Sequence, residues 1–186
     1  MLTETSGIHH SISTQDNDIQ KNFRYLTLDQ FFIKSLKEIY FLQDTLVSIL
    51  KEIEAAAITP GLKKTFEDYQ YQARKHLMRL EKIFRIIQNL PEKKANCGSE
   101  GIIKKLRCTI NSNVEKSAIH DIALVLAFKK LIYYQLASYN GLLEIAIAMK
   151  DKNIANLLEK SFLEQKRSAD HLNEITTPNI NFDILR

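Results

Sequence analysis

Four glutamines, Gln43, Gln72, Gln135 and Gln165, each fall near the middle of a long run of helical periodicity, on or beside its apolar stripe. In a bundle of helices such positions point at the centre. A carboxamide there brings two donors and an acceptor oxygen but no charge. A cluster of them can satisfy one another, nearby hydroxyls such as Tyr40, Tyr69 and Tyr133, or a trapped water. What such a cluster does poorly is neutralise and bridge metal cations, the work for which carboxylates are suited. His76 shares the stripe with Gln72 and is the strong donor at that depth, although a lone core histidine is more often hydrogen-bonded than ligating.

The remaining reactive side chains form no catalytic pattern. Glu38, Glu67, Asp68 and Glu164 are the nearest acids, and their spacing places them beside or behind the stripe, facing solvent. His120 and His171 fall toward helix ends and read as surface groups, His171 in a last turn where positive charge is favourable. His9 and His10 read as a solvated pair. Tyr133, Tyr134 and Tyr139 read as packing residues with a hydroxyl to satisfy. Cys97 and Cys108 stand eleven positions apart without a second pair to complete a zinc site, so they read as free thiols in a reducing compartment. No Ser/His/Asp or Cys/His arrangement, phosphate-binding glycine loop or dinucleotide fingerprint is found, and no residue is singled out for catalysis.

The elements that carry these residues can be read from periodicity. The first helix opens at Leu28 or Asp29, with Asp29 as cap or first-turn acid, and runs to about Ala57 on the seam Phe32, Leu36, Ile39, Gln43, Leu46, Leu50 and Ile53. Thr59 and Pro60 start the second as N-cap and first helical residue, and it continues to about Asn89 through Leu62, Phe66, Tyr69, His76, Leu80, Ile83 and Ile87. Pro91 and the region Gly98 to Gly101 flank a short crossover helix with Ile102, Ile103 and Leu106 inward. That connection either crosses the bundle end or runs beside it. The third long helix covers Ser117 to Lys150 with Leu124, Phe128, Leu131, Gln135, Ser138, Leu142, Ile145 and Met149 in line. The fourth covers about Asn153 to Thr176 with Ile154, Leu158, Ser161, Gln165, Ala169, Leu172 and Ile175, and Pro178 ends it.

The 186 residues suit one domain, and with 5 Gly and 3 Pro there are few turns. Residues 1–27 read as a polar flexible tail, 28–176 as the bundle, and 177–186 as a C-terminal tail offering Ile180, Phe182, Ile184 and Leu185 for docking. Neither a signal sequence nor an apolar stretch of spanning length is present, so the expectation is a soluble cytoplasmic protein with no membrane partner. The net charge of +4 is spread among acids. Its densest basic run, Lys93, Lys94, Lys104, Lys105 and Arg107, could attract nucleic acid or an acidic partner, but no recognised motif accompanies it and the basic surface reads as solvation.

Several segments carry a resemblance: "LKEIYFLQDTL", "SILKEIEAAAITPGLKKTFEDYQYQARKHLMRLEKIFRII", "CGSEGII", "HDIALVLAFKKLIYYQLASYNGL" and "LLEKSFLEQKRSADHLNEI". Over residues 28 to 175 the chain resembles the YciF-like and YciE-like family of bacterial stress-associated proteins. The resemblance implies an all-α, ferritin-like antiparallel four-helix bundle with a short crossover helix between helices two and three. It further implies a homodimer and a stress role, with a di-iron site as the family's cofactor. The family's glutamates map onto Gln43, Gln72, Ile132, Gln135 and Gln165, its histidine onto Tyr133 and its aspartate onto Ala169. Every carboxylate so mapped is absent, which makes the four glutamines vestigial-site positions and leaves no metal or other cofactor expected. The leading expectation is a non-catalytic structural or interaction protein. An oxidase or iron-handling protein with a rearranged site, using His76 as weak donor, is the alternative, and binding of nucleic acid or an acidic partner through 93–107 is a third.

Overall fold

The computed structural model describes residues 27–112 and 117–179, with side chains described to Ile175. Five helices follow in order: α1 Leu28–Ala56, α2 Pro60–Ile86, α3 Cys97–Ile110, α4 Ala118–Ala148 and α5 Lys152–Asn179. Among the described residues there is no strand, and no helix is long and apolar enough to cross a membrane. The expected tail with His9 and His10, and the apolar residues Ile180, Phe182, Ile184 and Leu185, lie outside the described residues.

Local chemistry sets the helix ends. Thr27, placed in the tail by the sequence pattern, caps α1: its hydroxyl accepts from Gln30 N, and the Gln30 side chain returns a bond to Thr27 N. Asp29 is left as the first-turn acid. Asn96 and Ser99 exchange the same pair of bonds at 2.7 and 3.1 Å, so α3 begins at Cys97. Gly98 and Gly101, expected to flank that helix, therefore lie inside it. Gly98 is suited to its place because a Cβ there would come within 3.2 Å of the Tyr134 ring and hydroxyl. α2 stops at Ile86, short of Asn89, since Gln88 turns into the left-handed region at φ 52°. Lys150 makes a similar turn after α4, and Asp151 Oδ1 then accepts from Asn153 N and Ile154 N to start α5. α5 runs to Asn179, past the Pro178 that was expected to end it. A proline withholds one N–H but has a helical φ, which a final turn can hold.

Cross-helix bonds give the register. Gln43 of α1 bonds to Ala73 of α2, and Arg79 of α2 to Glu164 of α5. Gln165 of α5 bonds to Gln135 of α4, which bonds in turn to Gln43. The four long helices thus form a closed ring, α1 to α2 to α5 to α4, in which every neighbouring pair is antiparallel. The step from α2 to α4 crosses the diagonal. α3 makes it by running beside the bundle against α1 and α4, held by Asn96 on Glu38 at one end and by His120 on Thr109 O at the other.

The α1 seam is buried at every expected position, and so is the α5 stripe from Ile154 to Leu172. α4 departs from expectation. Tyr139 and Ala146 take core places that the pattern gave to Ser138 and Ile145, which are half-buried. That helix is apolar around most of its circumference, so hydropathy alone does not single out its inner face.

Candidate functional site

Three of the four glutamines meet at the centre of the bundle. Gln165 Nε2 donates to Gln135 Oε1 at 3.0 Å, Gln135 Nε2 donates to Gln43 Oε1 at 2.7 Å, and Gln43 Nε2 donates to Ala73 O at 3.0 Å. The three side chains are 0 to 3% exposed. Each amide hands a proton-bearing nitrogen to the next oxygen, so the chain has one direction and ends on a backbone carbonyl. Gln165 also reaches Ile132 O at 3.3 Å, and the Tyr139 hydroxyl stands 3.5 Å from Gln43 Oε1. Burial raises the Tyr139 pKa, so it stays a neutral phenol.

Gln72, expected at the same depth, stands aside. It is half-buried, and its Oε1 accepts from Ser168 Oγ at 3.0 Å. The inner row of α2 runs through Ala73, whose missing bulk makes room for Gln43. The tyrosines expected to serve the amides are engaged elsewhere. Tyr69 donates to Ser168 O at 2.6 Å, Tyr40 lies 3.5 Å from Glu81, and exposed Tyr133 accepts from Asn173. Tyr139, read only as packing, is the hydroxyl beside the cluster.

His76 is buried on α2 with its ring edge-on to Tyr139. Its Nε2 lies 3.1 Å from Glu164 Oε2. Glu164 was expected to face solvent, but it leans across the α2–α5 seam, where Arg79 grips both its oxygens at 2.7 and 2.8 Å and also reaches Ser161 Oγ at 3.2 Å. A long side chain beside the core stripe can turn inward when a partner on the next helix waits for it. Partial burial pushes the Glu164 carboxyl upward, but the bonds and charge of Arg79, aided by His76, outweigh it and hold the pKa below the usual carboxylate value. Burial dominates at His76 and drives its pKa down to about 4, against the opposing pull of the Glu164 charge. The ring is therefore neutral near pH 7. With Glu164 ionised the proton sits on Nε2, and the buried Nδ1 has no partner among the described residues.

The donor set does not fit the metal pair that the family resemblance implies. Among the described residues no three of His, Cys, Asp and Glu gather closely enough to hold a metal ion. The cavity lined by Gln43, Gln72, His76, Gln165 and Ser168 gives about 10 Å³ of room for the centre of a water-sized sphere, whereas a metal pair spans roughly 3.5–4 Å between ions and needs anionic bridges. Neutral amides already bonded to each other supply neither the space nor the charge.

Two further buried polar groups were missed in the sequence. Asp121 is 5% exposed and accepts from Ile58 N and Thr59 N at 2.9 Å each, and from the Thr59 hydroxyl. Thr59 is the N-cap of α2 as expected, but its hydroxyl serves Asp121 and makes no bond within its own helix. His120, expected on the surface, is 4% exposed because the end of α3 covers it; its Nε2 lies 3.1 Å from Thr109 O. His171 is exposed as expected, although α5 continues two turns beyond it. In the basic run, Lys93 bonds Asp44 at 2.7 Å, while Lys104, Lys105 and Arg107 face solvent on α3.

Residues 27–184 match the model of a family described as a domain of unknown function, DUF892. Protein YciF of Escherichia coli K12 is 26% identical over 156 residues, covering 83% of this chain and 93% of that protein. The crystal structure of YciF, described as an E. coli stress protein, superposes with a TM-score of 0.78 at 26% identity over 84% of this chain and 99% of that one. YcfI of Rhodopseudomonas palustris shares the fold with a TM-score of 0.76 at 20% identity, covering 81% of this chain and 96% of its own.

Proposed function

The chain belongs to the DUF892 family, and on that premise we propose that it is a non-catalytic, metal-free member of the YciF-like group. Its role is structural or interactive, in a bacterial stress response, and it works in the cytoplasm as a homodimer. The observation that supports this reading best is the hydrogen-bonded run Gln165, Gln135, Gln43 at the bundle centre. A buried site for cations is favourable only when fixed negative charge compensates their lost hydration. Here the three central amides are neutral and bonded to one another and to Ala73 O, so their contribution is to hold four helices in one register. The stress role follows from kinship with YciF, itself described as a stress protein.

The test is to load the purified chain with ferrous iron under oxygen, remove loose metal, and measure iron per chain together with the visible absorption. The expected result is iron well below one equivalent and no di-iron band. Near-stoichiometric iron with such a band would overturn the reading.

A further inference from the structure

The small cavity beside the amide chain is lined by three side chains that each keep one polar atom unspent. Both bonds that Gln165 makes leave from its Nε2, so its Oε1 remains an open acceptor. Gln72 accepts from Ser168 through Oε1, and its Nε2 is a donor without a partner among the described residues. His76 directs Nε2 to Glu164 and keeps a buried, unbonded acceptor in Nδ1. Gln43 and Ser168 line the same cavity. Burying such atoms unpaired is costly, so protein interiors pair nearly all of them, with ordered water where no protein group reaches.

We propose that this cavity is a binding site for one water molecule, which accepts from Gln72 Nε2 and donates to Gln165 Oε1 and His76 Nδ1. One donor and two acceptors are what a water's lone pair and two protons require, and three bonds is the usual number for a buried water. The size agrees. The centre of a water-sized sphere has about 10 Å³ to occupy, enough for one water and too little for a larger guest. Polar walls separate this site from an apolar void, which would stay dry.

The water gives the four glutamines one connection. Ser168 Oγ donates to Gln72 Oε1, Gln72 Nε2 to the water, and the water to Gln165 Oε1; from there the run continues through Gln135 and Gln43 to Ala73 O. Every step keeps the same direction, and the glutamine that stands aside from the centre is joined to the other three. The cavity shares Tyr69, Gln72 and Ser168 with a surface cleft of about 260 Å³ between α2 and α5, so water reaches the site past the bond from Ser168 to Gln72. This site goes beyond the metal-free reading, and the two fail separately: iron uptake decides that reading, whereas a metal-free chain lacking this water would sink only the water site.

The experiment records water-to-protein cross-relaxation on the full chain, labelled with nitrogen-15 and freed of metal by chelator. A cross-peak from water to the side-chain amide protons of Gln72, with the sign of a long-lived hydration water, is expected. Ser168→Ala and Tyr69→Phe each remove a hydroxyl whose exchange with solvent imitates such a peak, and the peak should survive both. The His76 Nδ1 resonance should lie on the hydrogen-bonded side of the range for an unprotonated imidazole nitrogen. Gln72→Leu, at a half-buried position, should move it to the unbonded side while Nε2 stays in place. Absence of the cross-peak in the unaltered chain would overturn the proposal. So would a peak that vanishes with either hydroxyl, or a Nδ1 resonance that is unbonded from the start or indifferent to Gln72→Leu.

Discussion

Gln135 and Gln43, ninety-two positions apart in the chain, share a 2.7 Å hydrogen bond with both side chains buried. The bond joins α4 to α1, the two helices whose pairing closes the ring. Truncating Gln135 to alanine takes the shorter of two bonds from the Gln43 oxygen and from the Gln165 nitrogen, leaving them the longer ones to the Tyr139 hydroxyl and Ile132 O, and it leaves a void. The cost should be about 3 kcal/mol. Urea unfolding monitored by circular dichroism measures it, and a loss under about 1 kcal/mol would mean that the amides carry little of the register.

Replacing all four glutamines by glutamate tests the same layer by charge. In chelator the variant should be less stable than the parent, since three carboxylates crowded at the centre, with the fourth half-buried at position 72, lose both hydration and the amide donors. Buried glutamates have raised pKa values, so whatever stability the variant has should be lost as pH rises through those values. Divalent metal should recover part of it. A melting temperature indifferent to metal would argue that the four positions do not make a site.

His76 gives a pH dependence with a definite sign. Its folded pKa is about 4, below its ordinary value of 6.5, so between these two values the unfolded chain binds more protons than the folded one. Stability is therefore full above about pH 6.5 and falls as pH drops toward 4, by an amount on the order of 3 kcal/mol for this group. Unfolding curves at half-unit steps across that window measure the slope. His76→Gln should flatten it, and an unchanged slope in the variant would place the dependence elsewhere.

Asp121→Ala removes the acceptor for two backbone N–H groups and one hydroxyl at the start of α2. The expected loss is about 2–4 kcal/mol, with Asp121→Asn intermediate because one oxygen survives. Amide hydrogen exchange should speed at Ile58 and Thr59 more than at the bundle centre. Uniform exchange across the molecule would mean that the carboxylate does not act locally.

The long helices and most of their inner faces were legible because burial on one side imposes a 3.6-residue period, which a glutamine interrupts visibly. Gln72 shows the limit. It lies between Tyr69 and His76 on the helical wheel, and only the positions of the neighbouring helices decide whether the buried stripe passes through it or through Ala73. Asp121, His120 and Glu164 were misread or missed for a related reason. Thr59 and Arg79 lie 62 and 85 positions from Asp121 and Glu164, and Thr109, though only 11 from His120, belongs to another helix; a polar residue gives no sign of which group on another element will cover it. The start of α3 was different: Asn96 and Ser99 carry a capping signal, but two glycines beside it favoured a loop reading.

The path of α3 has a kinetic consequence. The hairpins α1–α2 and α4–α5 each join neighbours through short turns, whereas every contact between α1 and α4 spans a long stretch of chain. Loop-closure entropy makes such contacts late arrivals. Each hairpin can close at little entropic cost, so most of the closure cost of the fold falls on docking one hairpin against the other, with α3 laid along their junction.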